Sequence, residues 1–227
     1  MVAIVLATSR ATEDYLKAIY ALGSRGEPVT TGSLAHELGI SSPSVTAMVK
    51  RLETGRLLAR PDGRSLELTA RGTELALRVV RRHRLLETFL ATVLEVPWDE
   101  VHAEAEQLEH ALSAALEQRI DAHLGYPTHD PHGDPIPALH GPHDDAWGQV
   151  LDAIPAGVRF VVERVSDRDS GALRYLGELG IRPGTILDVE EQAPYGGPRW
   201  VRVDGAERQP LGARLTILIH GRQLDPR

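Results

Sequence analysis

The sequence of 227 residues predicts an α+β multidomain protein with three folded parts. Short helical patterns followed by a hairpin predict a winged helix-turn-helix over residues 1–72. Longer helical patterns predict an all-α domain over residues 73–126. Residues 153–227 contain short β runs separated by Pro-Gly and Gly-Gly-Pro, which predicts a small β-barrel. A Pro- and His-rich linker, residues 127–152, precedes that barrel.

Charge is unevenly distributed along the chain, although the net charge is only −7. Residues 1–90 carry 13 Lys and Arg against 9 Asp and Glu, a net of +4. Residues 91–152 carry 1 against 13, a net of −12, and residues 153–227 are nearly neutral at +1. A basic first third favours a polyanion as partner, and an acidic middle favours cations.

Several classes of site lack support in the sequence. Cysteine is absent, which excludes disulfides, Cys-type zinc sites and thiol nucleophiles and is compatible with the cytoplasm. No apolar run reaches ~18 residues, and the apolar segment at residues 1–8 is too short to cross a bilayer. We therefore expect a cytoplasmic protein with no membrane segment.

The first third has the pattern of a DNA-binding helix-turn-helix. Thr12 can cap a helix that extends to about Leu22, and a second short helix closes at Gly39. The third helix begins in S-S-P-S-V-T, where Pro43 in the first turn lacks an N–H that would have no helical partner. Its small outward residues allow it to lie deep in a major groove. The expected DNA contacts from this helix are Ser41, Ser42, Pro43, Ser44, Ala47, Lys50 and Arg51.

A hairpin follows in L-L-A-R-P-D-G-R-S-L-E-L-T, with its turn at Pro61-Asp62-Gly63. Arg60 and Arg64 near the tip are placed for phosphate contact, which positions a protein on DNA without reading its sequence. A helical packing domain with an incidental hairpin is the alternative. The order of three helices and a basic wing favours DNA binding.

The middle of the chain carries an unusual stripe of titratable residues. In V-H-A-E-A-E-Q-L-E-H-A-L-S, read as one helix over Val101 to Ser113, the side chains of His102, Glu106, Glu109 and His110 share one face. Such a set is costly to bury without a partner, and a divalent metal would supply one. A solvated acidic face with incidental histidines is the alternative.

The flanking segments add candidate ligands and a candidate interface. Thr69 caps a long helix from about Ala70 to Leu94, on which His83 and Glu87 are four residues apart. The apolar residues between 111 and 124 are too few for a core of their own, so we expect this face to pair with a second subunit. In the linker, Asp130 and His132 lie in a turn stiffened by proline and are ligand candidates.

These pieces, in this order, resemble the DtxR/MntR family of metal-dependent transcriptional repressors. The matching stretches are T-E-D-Y-L-K-A-I-Y, S-S-P-S-V-T, R-R-H-R-L-L-E, the stripe-bearing segment and H-G-D-P-I-P. R-Y-L-G-E-L-G-I-R-P-G-T is similar to the SH3-like (FeoA-like) C-terminal domain of the longer members. The resemblance implies a homodimer with an all-α dimerisation domain that binds double-stranded operator DNA and is not an enzyme.

The resemblance also implies two groups of metal ligands. The primary ligand positions are occupied here by Asp14, Glu106, Glu109 and His110. The secondary positions are occupied by His83, Glu87 and His102, with Asp130 and His132 in a turn where long manganese-type members carry Cys-Pro-His. Two tail positions that supply ligands in iron-type relatives are held by Arg164 and Asp167. Arginine cannot ligate, so Asp167 or its neighbour Glu163 is the expected tail ligand. Lys17 stands where some short manganese-type members have a second carboxylate.

The metal expected from this resemblance is Mn²⁺, with Fe²⁺ as the alternative. Iron-type relatives place Met and Cys where this chain has Asp14 and Glu106, and hard carboxylates favour Mn²⁺-like ions. Co²⁺, Ni²⁺ or Zn²⁺ should also bind in vitro. The function implied is repression of metal-uptake genes from palindromic operators when the metal is replete.

Two other classes of function are alternatives for this sequence. A metallohydrolase would explain a His/Glu helix, but H-E-x-x-H is missing. A winged-helix regulator that senses an organic ligand would be indifferent to chelators. For the tail domain, both a regulatory brace for the second metal site and a stabilising appendage without a ligand stay open.

Overall fold

The computed structural model describes residues 9–139 and 143–224, and the chain divides into two compact units. The first unit takes Met1–Arg82, Glu109–Ala111 and Pro137–His143. The second takes His83–Leu108, Leu112–Ile136 and Asp144–Arg227. The apolar run at residues 1–8, expected not to span a membrane, lies outside the described residues. Among the helices that are described, none combines the length and apolar character needed to cross a membrane.

The first unit contains a winged helix-turn-helix, as predicted. Its helices are α1 (Arg10–Ser24), α2 (Thr31–Glu37) and α3 (Ser42–Thr54), followed by the antiparallel wing strands β1 (Leu58–Ala59) and β2 (Glu67–Leu68). Helix α4 (Ala70–Val93) begins in this unit and continues into the second. The cap of α1 is Ser9 rather than Thr12, because the Ser9 hydroxyl accepts a hydrogen bond from the Thr12 backbone N–H.

The core of the first unit joins the three helices to the wing. Gly39 follows α2 with φ +64°, the left-handed backbone that a glycine adopts without strain. On α3 one stripe is buried and the opposite face is exposed, which is the division that the sequence predicts. The buried apolar residues of this core include Leu16, Ile19, Leu22, Leu34, Val45, Val49, Leu52 and Leu66.

The helices of the second unit correct one prediction. The stripe-bearing segment is not a single helix over Val101 to Ser113: α5 (Val101–Leu108) ends first, and α6 (Ala114–His123) is a separate helix. Ser113 begins α6 because its hydroxyl accepts the Leu116 backbone N–H. Glu109 and His110 therefore lie in a turn between two helices, and this turn belongs to the first unit.

The tail forms an antiparallel sheet of six strands. The strands are β3 (Gln149–Val150), β4 (Arg159–Val165), β5 (Ile186–Gln192), β6 (Arg199–Val203), β7 (Arg208–Leu211) and β8 (Ile219–Gln223). Two α-helices lie between strands, α7 (Ser170–Glu178) and α8 (Ala213–Thr216), and a 3₁₀ turn, Leu151–Ala153, follows β3.

The strand order is β3-β8-β4-β5-β6-β7, so the strands do not close the expected barrel within the described residues. The L-T-I-L-I-H run, expected as a strand, is divided between α8 and β8. The fully buried core of the tail includes Phe160, Leu173, Leu176, Ile181, Leu187 and Val201.

Part of the Pro- and His-rich segment is folded against the tail. Asp130 Oδ1 accepts the backbone N–H groups of His132 and Asp134, and His129 pairs with Pro135 in an isolated bridge. Gly133 has φ +89°, and a Cβ there would collide with the carbonyl of Glu163 on β4. The turn thus closes tightly against the tail sheet, although its composition is that of a linker.

Candidate metal centres

The first candidate centre combines helix α1 with the Glu109–Ala111 turn. Nε2 of His110 lies 2.7 Å from Oδ1 of Asp14 and 3.3 Å from Oε1 of Glu109. One ligand atom from each residue falls within 4.8 Å of the others. Two carboxylates and an imidazole around one point form a donor set that suits Mn²⁺, Fe²⁺ or Zn²⁺. Asp14 is 95 positions from Glu109 in the sequence, so only the fold brings these ligands together.

Two further residues surround this centre. Nδ1 of His110 lies 2.7 Å from Oε2 of Glu13, which can hold the ring with Nε2 directed at Asp14. Nζ of Lys17 donates to both carboxylate oxygens of Glu109, at 2.7 and 2.9 Å. Glu13 was not among the predicted site residues, and its only signal in the sequence is its place beside Asp14 in T-E-D-Y.

Glu106, predicted as a primary ligand, lies on α5 in the second unit. Its carboxylate is half-buried, and Oε1 is 3.8 Å from Nε2 of His102. Its role as a ligand of the first centre stays a prediction from the resemblance.

The second candidate centre brings together His83, Glu87, His102 and Asp167, four of the residues selected as secondary ligands, and their role as ligands stays a prediction. Oε1 of Glu87 lies 2.9 Å from Nε2 of His83 and 3.2 Å from Nδ1 of His102. Nδ1 of His102 is also 3.0 Å from Oδ2 of Asp167. The fold thus brings together side chains from α4, from α5 and from the segment that follows β4.

Electrostatics hold the carboxylates of this second centre ionised. Burial alone would raise the pKa of Glu87, but the charge of His83 and hydrogen bonds from His102 and His83 hold it well below its usual range. Burial acts to lower the pKa of His102, yet hydrogen bonds to Asp167 and Glu87 raise it to about 11. The pKa of Asp167 is lowered in turn: burial opposes ionisation, and the His102 hydrogen bond and charge outweigh it.

A third group shares Glu87 with the second centre and adds Asp130 and His132. Nε2 of His132 lies 2.7 Å from the carbonyl oxygen of Trp98, so this nitrogen carries the proton as donor. Nδ1 lies 4.0 Å from Oε1 of Glu87. It is fully buried and has no hydrogen-bond partner among the described residues. A buried imidazole nitrogen without a hydrogen-bond partner costs free energy, and a metal ion bound by its lone pair would remove that cost.

Two buried arginines neutralise the acids behind this third group. Arg84 lies 3.0 Å from Asp134 and 3.2 Å from Asp145, and Arg164 pairs with the same two aspartates. Burial acts to lower the pKa of Arg84, but the charges of Asp134, Asp145 and Asp130 raise it. The pKa of Asp130 is raised well above its usual range by burial and by the charges of Asp134 and Glu87. A metal cation bound at this group, in addition to the nearby Arg84, would therefore lower the pKa of Asp130 and favour its ionised form.

The tail residues at or beside the expected ligand positions lie in different surroundings. Asp167 joins the second centre. Glu163 instead accepts a hydrogen bond from Nε of Arg222 at 2.8 Å, on the exposed side of the sheet. Arg164 packs over the ring of Trp147 at 3.7 Å from its centroid. Asp167 is therefore the tail residue best placed to bind a metal.

The predicted DNA contacts lie on the accessible face of the first unit. All seven residues selected on or beside α3 are exposed, and Arg64 is exposed in the wing. Arg60 is half-buried and its Nε donates to Oε1 of Glu53 at 2.7 Å, so a phosphate would have to compete with this carboxylate. Asp62 accepts the backbone N–H groups of Arg64 and Ser65, which organises the wing tip.

Three family profiles match successive parts of the chain. Residues 7–59 match the iron dependent repressor N-terminal DNA binding domain. Residues 69–138 match the iron dependent repressor metal binding and dimerisation domain. Residues 150–222 match the FeoA domain. These matches cover all three folded parts of the chain.

Relatives and solved structures match most of the chain. The chain is 39% identical to the iron-dependent repressor IdeR of Mycobacterium tuberculosis (strain ATCC 25618 / H37Rv) over 198 residues, 82% of this chain and 86% of that protein. A manganese-dependent transcriptional repressor in complex with manganese has a TM-score of 0.86 and 39% identity, over 94% of this chain and 100% of the other. ScaR with bound Zn²⁺ has a TM-score of 0.80 and 31% identity, over 94% and 99%.

Proposed function

The chain belongs to the DtxR family of metal-dependent transcriptional repressors, and from that premise we propose that it represses metal-uptake genes in response to Mn²⁺. The single observation that supports this most directly is the Asp14–Glu109–His110 group, which offers only oxygen and nitrogen donors. The family consists of repressors and not enzymes, so the metallohydrolase alternative is wrong. A sensor of an organic ligand is set aside because the family is metal-dependent and the chain matches its metal binding domain.

The choice between manganese and iron belongs to this proposal. Sequence relatives carry the name of iron-dependent repressors, and similar structures include manganese-dependent ones. Within this chain, carboxylates stand where iron-type relatives place sulfur ligands, and hard oxygen donors suit Mn²⁺. We take Mn²⁺ as the physiological metal and Fe²⁺ as the second candidate, with Co²⁺, Ni²⁺ or Zn²⁺ as substitutes in vitro.

A metal at the first centre would change the DNA-binding unit directly. Asp14 lies on α1, and α1 packs in the same core as α3, whose exposed face carries the predicted DNA contacts. Glu109 and His110 lie in the turn that joins α5 to α6. An ion bound by all three would fix α1 to that turn. Metal and operator then favour the same arrangement, so each raises the affinity of the other by the same factor.

The DNA-bound form that we propose is a homodimer on a palindromic operator in the cytoplasm. Residues 69–138 match a dimerisation domain, and the second unit exposes large apolar side chains on its helices. Leu108 on α5 is 43% exposed and Leu116 on α6 is 49% exposed, and a second subunit packed on these helices would bury them. Two recognition helices about 34–36 Å apart, or a multiple of that distance, would match half-sites on one side of the duplex.

The test is selection of bound duplexes from a random-sequence DNA library, in Mn²⁺ and in chelator. We expect an inverted repeat to be enriched only with metal. Binding of the selected duplex should depend on Mn²⁺ in the wild-type chain and be lost in Asp14→Asn. Glu106→Gln tests the ligand taken from the resemblance, and Glu104→Gln, exposed on the same helix, is its control. Selection that is equal with chelator and with metal would contradict the proposal, and a response to Fe²⁺ alone would reassign the metal.

A further inference from the structure

A lysine ammonium lies inside the first candidate centre. Nζ of Lys17 is 2.7 Å from Oε1 and 2.9 Å from Oε2 of Glu109. The Glu109 side chain is fully buried, and the Lys17 side chain is only 15% exposed. Both carboxylate oxygens of a proposed metal ligand therefore accept hydrogen bonds from a cation that belongs to the chain.

The ammonium and a metal ligand come from the same helix. Asp14 and Lys17 are three residues apart on α1, so they project from one face. Glu109 consequently faces a carboxylate that would share a divalent ion with it and an ammonium that already pairs with it. A divalent ion placed beside Glu109 would meet the positive charge of Lys17 at short range, in a site with little solvent to screen it.

We propose that Lys17 is a tethered internal cation that competes with the divalent metal for Glu109. This inference rests on the proposed function of the first centre. The competition weakens metal binding there and so raises the metal concentration at which the repressor is activated. Lys17 leaves Glu109 when the metal binds, and its charged end turns toward the solvent.

A purely structural ion pair between Lys17 and Glu109 does not predict that metal affinity rises when Lys17 is removed. If Lys17 only stabilised the fold, its removal would take a charged partner from the buried Glu109 and would weaken or unfold the unit. If Lys17 competes with the metal, its removal takes the competing ammonium away from Glu109 and strengthens metal binding. The sign of the change in metal affinity therefore separates the two roles.

The first measurement is calorimetric titration of the full chain with Mn²⁺. The primary binding event is defined as the one lost in Asp14→Asn. Lys17→Met keeps length and helix propensity and removes the charge, and Lys17→Arg keeps the charge. The chain has one other lysine, the exposed Lys50 on α3, so Lys50→Met is a matched control in the absence of DNA.

We expect Lys17→Met to tighten primary binding about tenfold to a hundredfold, the scale of hydrogen bonds between charged groups. Lys17→Arg and Lys50→Met should stay within about threefold of wild type. Unchanged or weaker primary binding in Lys17→Met would overturn the proposal.

The second measurement keeps the test valid if Lys17→Met does not fold. With only two lysines, the wild-type chain labelled with ¹³C at the lysine ε carbon gives two side-chain signals, which Lys50→Arg assigns. Addition of diamagnetic Zn²⁺ should shift the Lys17 signal toward that of a solvent-exposed lysine and leave Lys50 in place. A Lys17 signal that stays fixed while the primary site fills would refute the competition.

The two hypotheses fail in distinguishable ways. If no Mn²⁺ binding event is sensitive to Asp14→Asn, the proposed function of the first centre fails. If that event exists but the affinity does not respond to Lys17→Met and the Lys17 signal does not move, only the role of Lys17 fails.

Discussion

The imidazole of His132 is fixed by the backbone of Trp98: Nε2 of the ring lies 2.7 Å from the Trp98 carbonyl oxygen. The carbonyl can only accept, so Nε2 is the donor and Nδ1 is directed into the protein. Nδ1 is buried, has no hydrogen-bond partner within the part of the chain that the structure describes, and lies 4.0 Å from Glu87. A backbone group that fixes the tautomer of a histidine is a common feature of metal sites, because it directs the other nitrogen at the ion.

His132→Ala should therefore weaken metal binding at the group formed with Glu87 and Asp130 by about tenfold to a hundredfold. His129→Ala is the control, because His129 is exposed in the same turn and bonds to Thr128. Equilibrium dialysis with Mn²⁺ measures the number and affinity of bound ions. Equal affinity in the two variants would show that His132 is not a ligand.

The turn that carries Asp130 and His132 should depend on Gly133. Both Gly133 and Gly157 have positive φ, +89° and +84°, so alanine at either position costs about 1–2 kcal/mol. A Cβ at Gly133 would also collide with the Glu163 carbonyl, whereas a Cβ at Gly157 has no atom within 4 Å. Thermal unfolding should show a larger loss of stability for Gly133→Ala than for Gly157→Ala, and Gly133→Ala should also lose metal affinity at Asp130 and His132. An equal loss of stability in both variants would argue against the close packing of the turn on β4.

The sequence predicted the elements of this protein better than the surroundings of its ligands. Helix caps and turn residues are local signals, so α3 and α4 were placed closely from the S-S-P-S-V-T stretch and from Thr69. The helical spacing of the titratable residues continues past Leu108, although α5 ends there. The turn that holds Glu109 and His110 was therefore predicted as part of the helix. The contacts of Glu109 with Lys17 and of His110 with Glu13 span 92 and 97 positions. Hydrophobic or polar periodicity carries no information on contacts between residues so far apart in the sequence.

Arg84 should be the most destabilising arginine of α4 to remove. It is buried beside Asp130, Asp134 and Asp145, and its loss would leave Arg164 as the remaining buried arginine paired with Asp134 and Asp145. Arg84→Met should lower the free energy of unfolding by about 3–5 kcal/mol. Arg78→Met on the same helix removes an exposed pair with Glu74 and should change it by less than about 1 kcal/mol. Denaturant unfolding of the metal-free chain compares the two, and a similar small change in both would contradict the role given to Arg84.

Glu13 should act on the first centre through His110. The carboxylate of Glu13 lies 2.7 Å from Nδ1 of His110 and orients the ring, so Glu13→Gln should weaken primary Mn²⁺ binding about tenfold. Asp14→Asn removes a proposed ligand and should abolish that binding. The exposed Glu74→Gln is the control. Mn²⁺ titration followed by electron paramagnetic resonance distinguishes weakened from abolished binding, and wild-type affinity in Glu13→Gln would show that the ring needs no such support.

Metal binding at the second centre should release a proton from His102. Its pKa is raised to about 11 by Asp167 and Glu87, so the ring is protonated at neutral pH and a metal that takes Nδ1 must displace the proton. Affinity at this centre should then rise about tenfold per pH unit between roughly pH 7 and pH 9. In the metal-free chain the raised pKa of His102 makes the stability of the fold fall with rising pH. The contribution is fully present below the ordinary pKa of 6.5 and is lost as the pH rises through about 11. Calorimetry in buffers with different ionisation enthalpies counts the released protons, and His102→Gln should remove one of them. A count that is the same in wild type and in His102→Gln would show that the metal does not displace this proton.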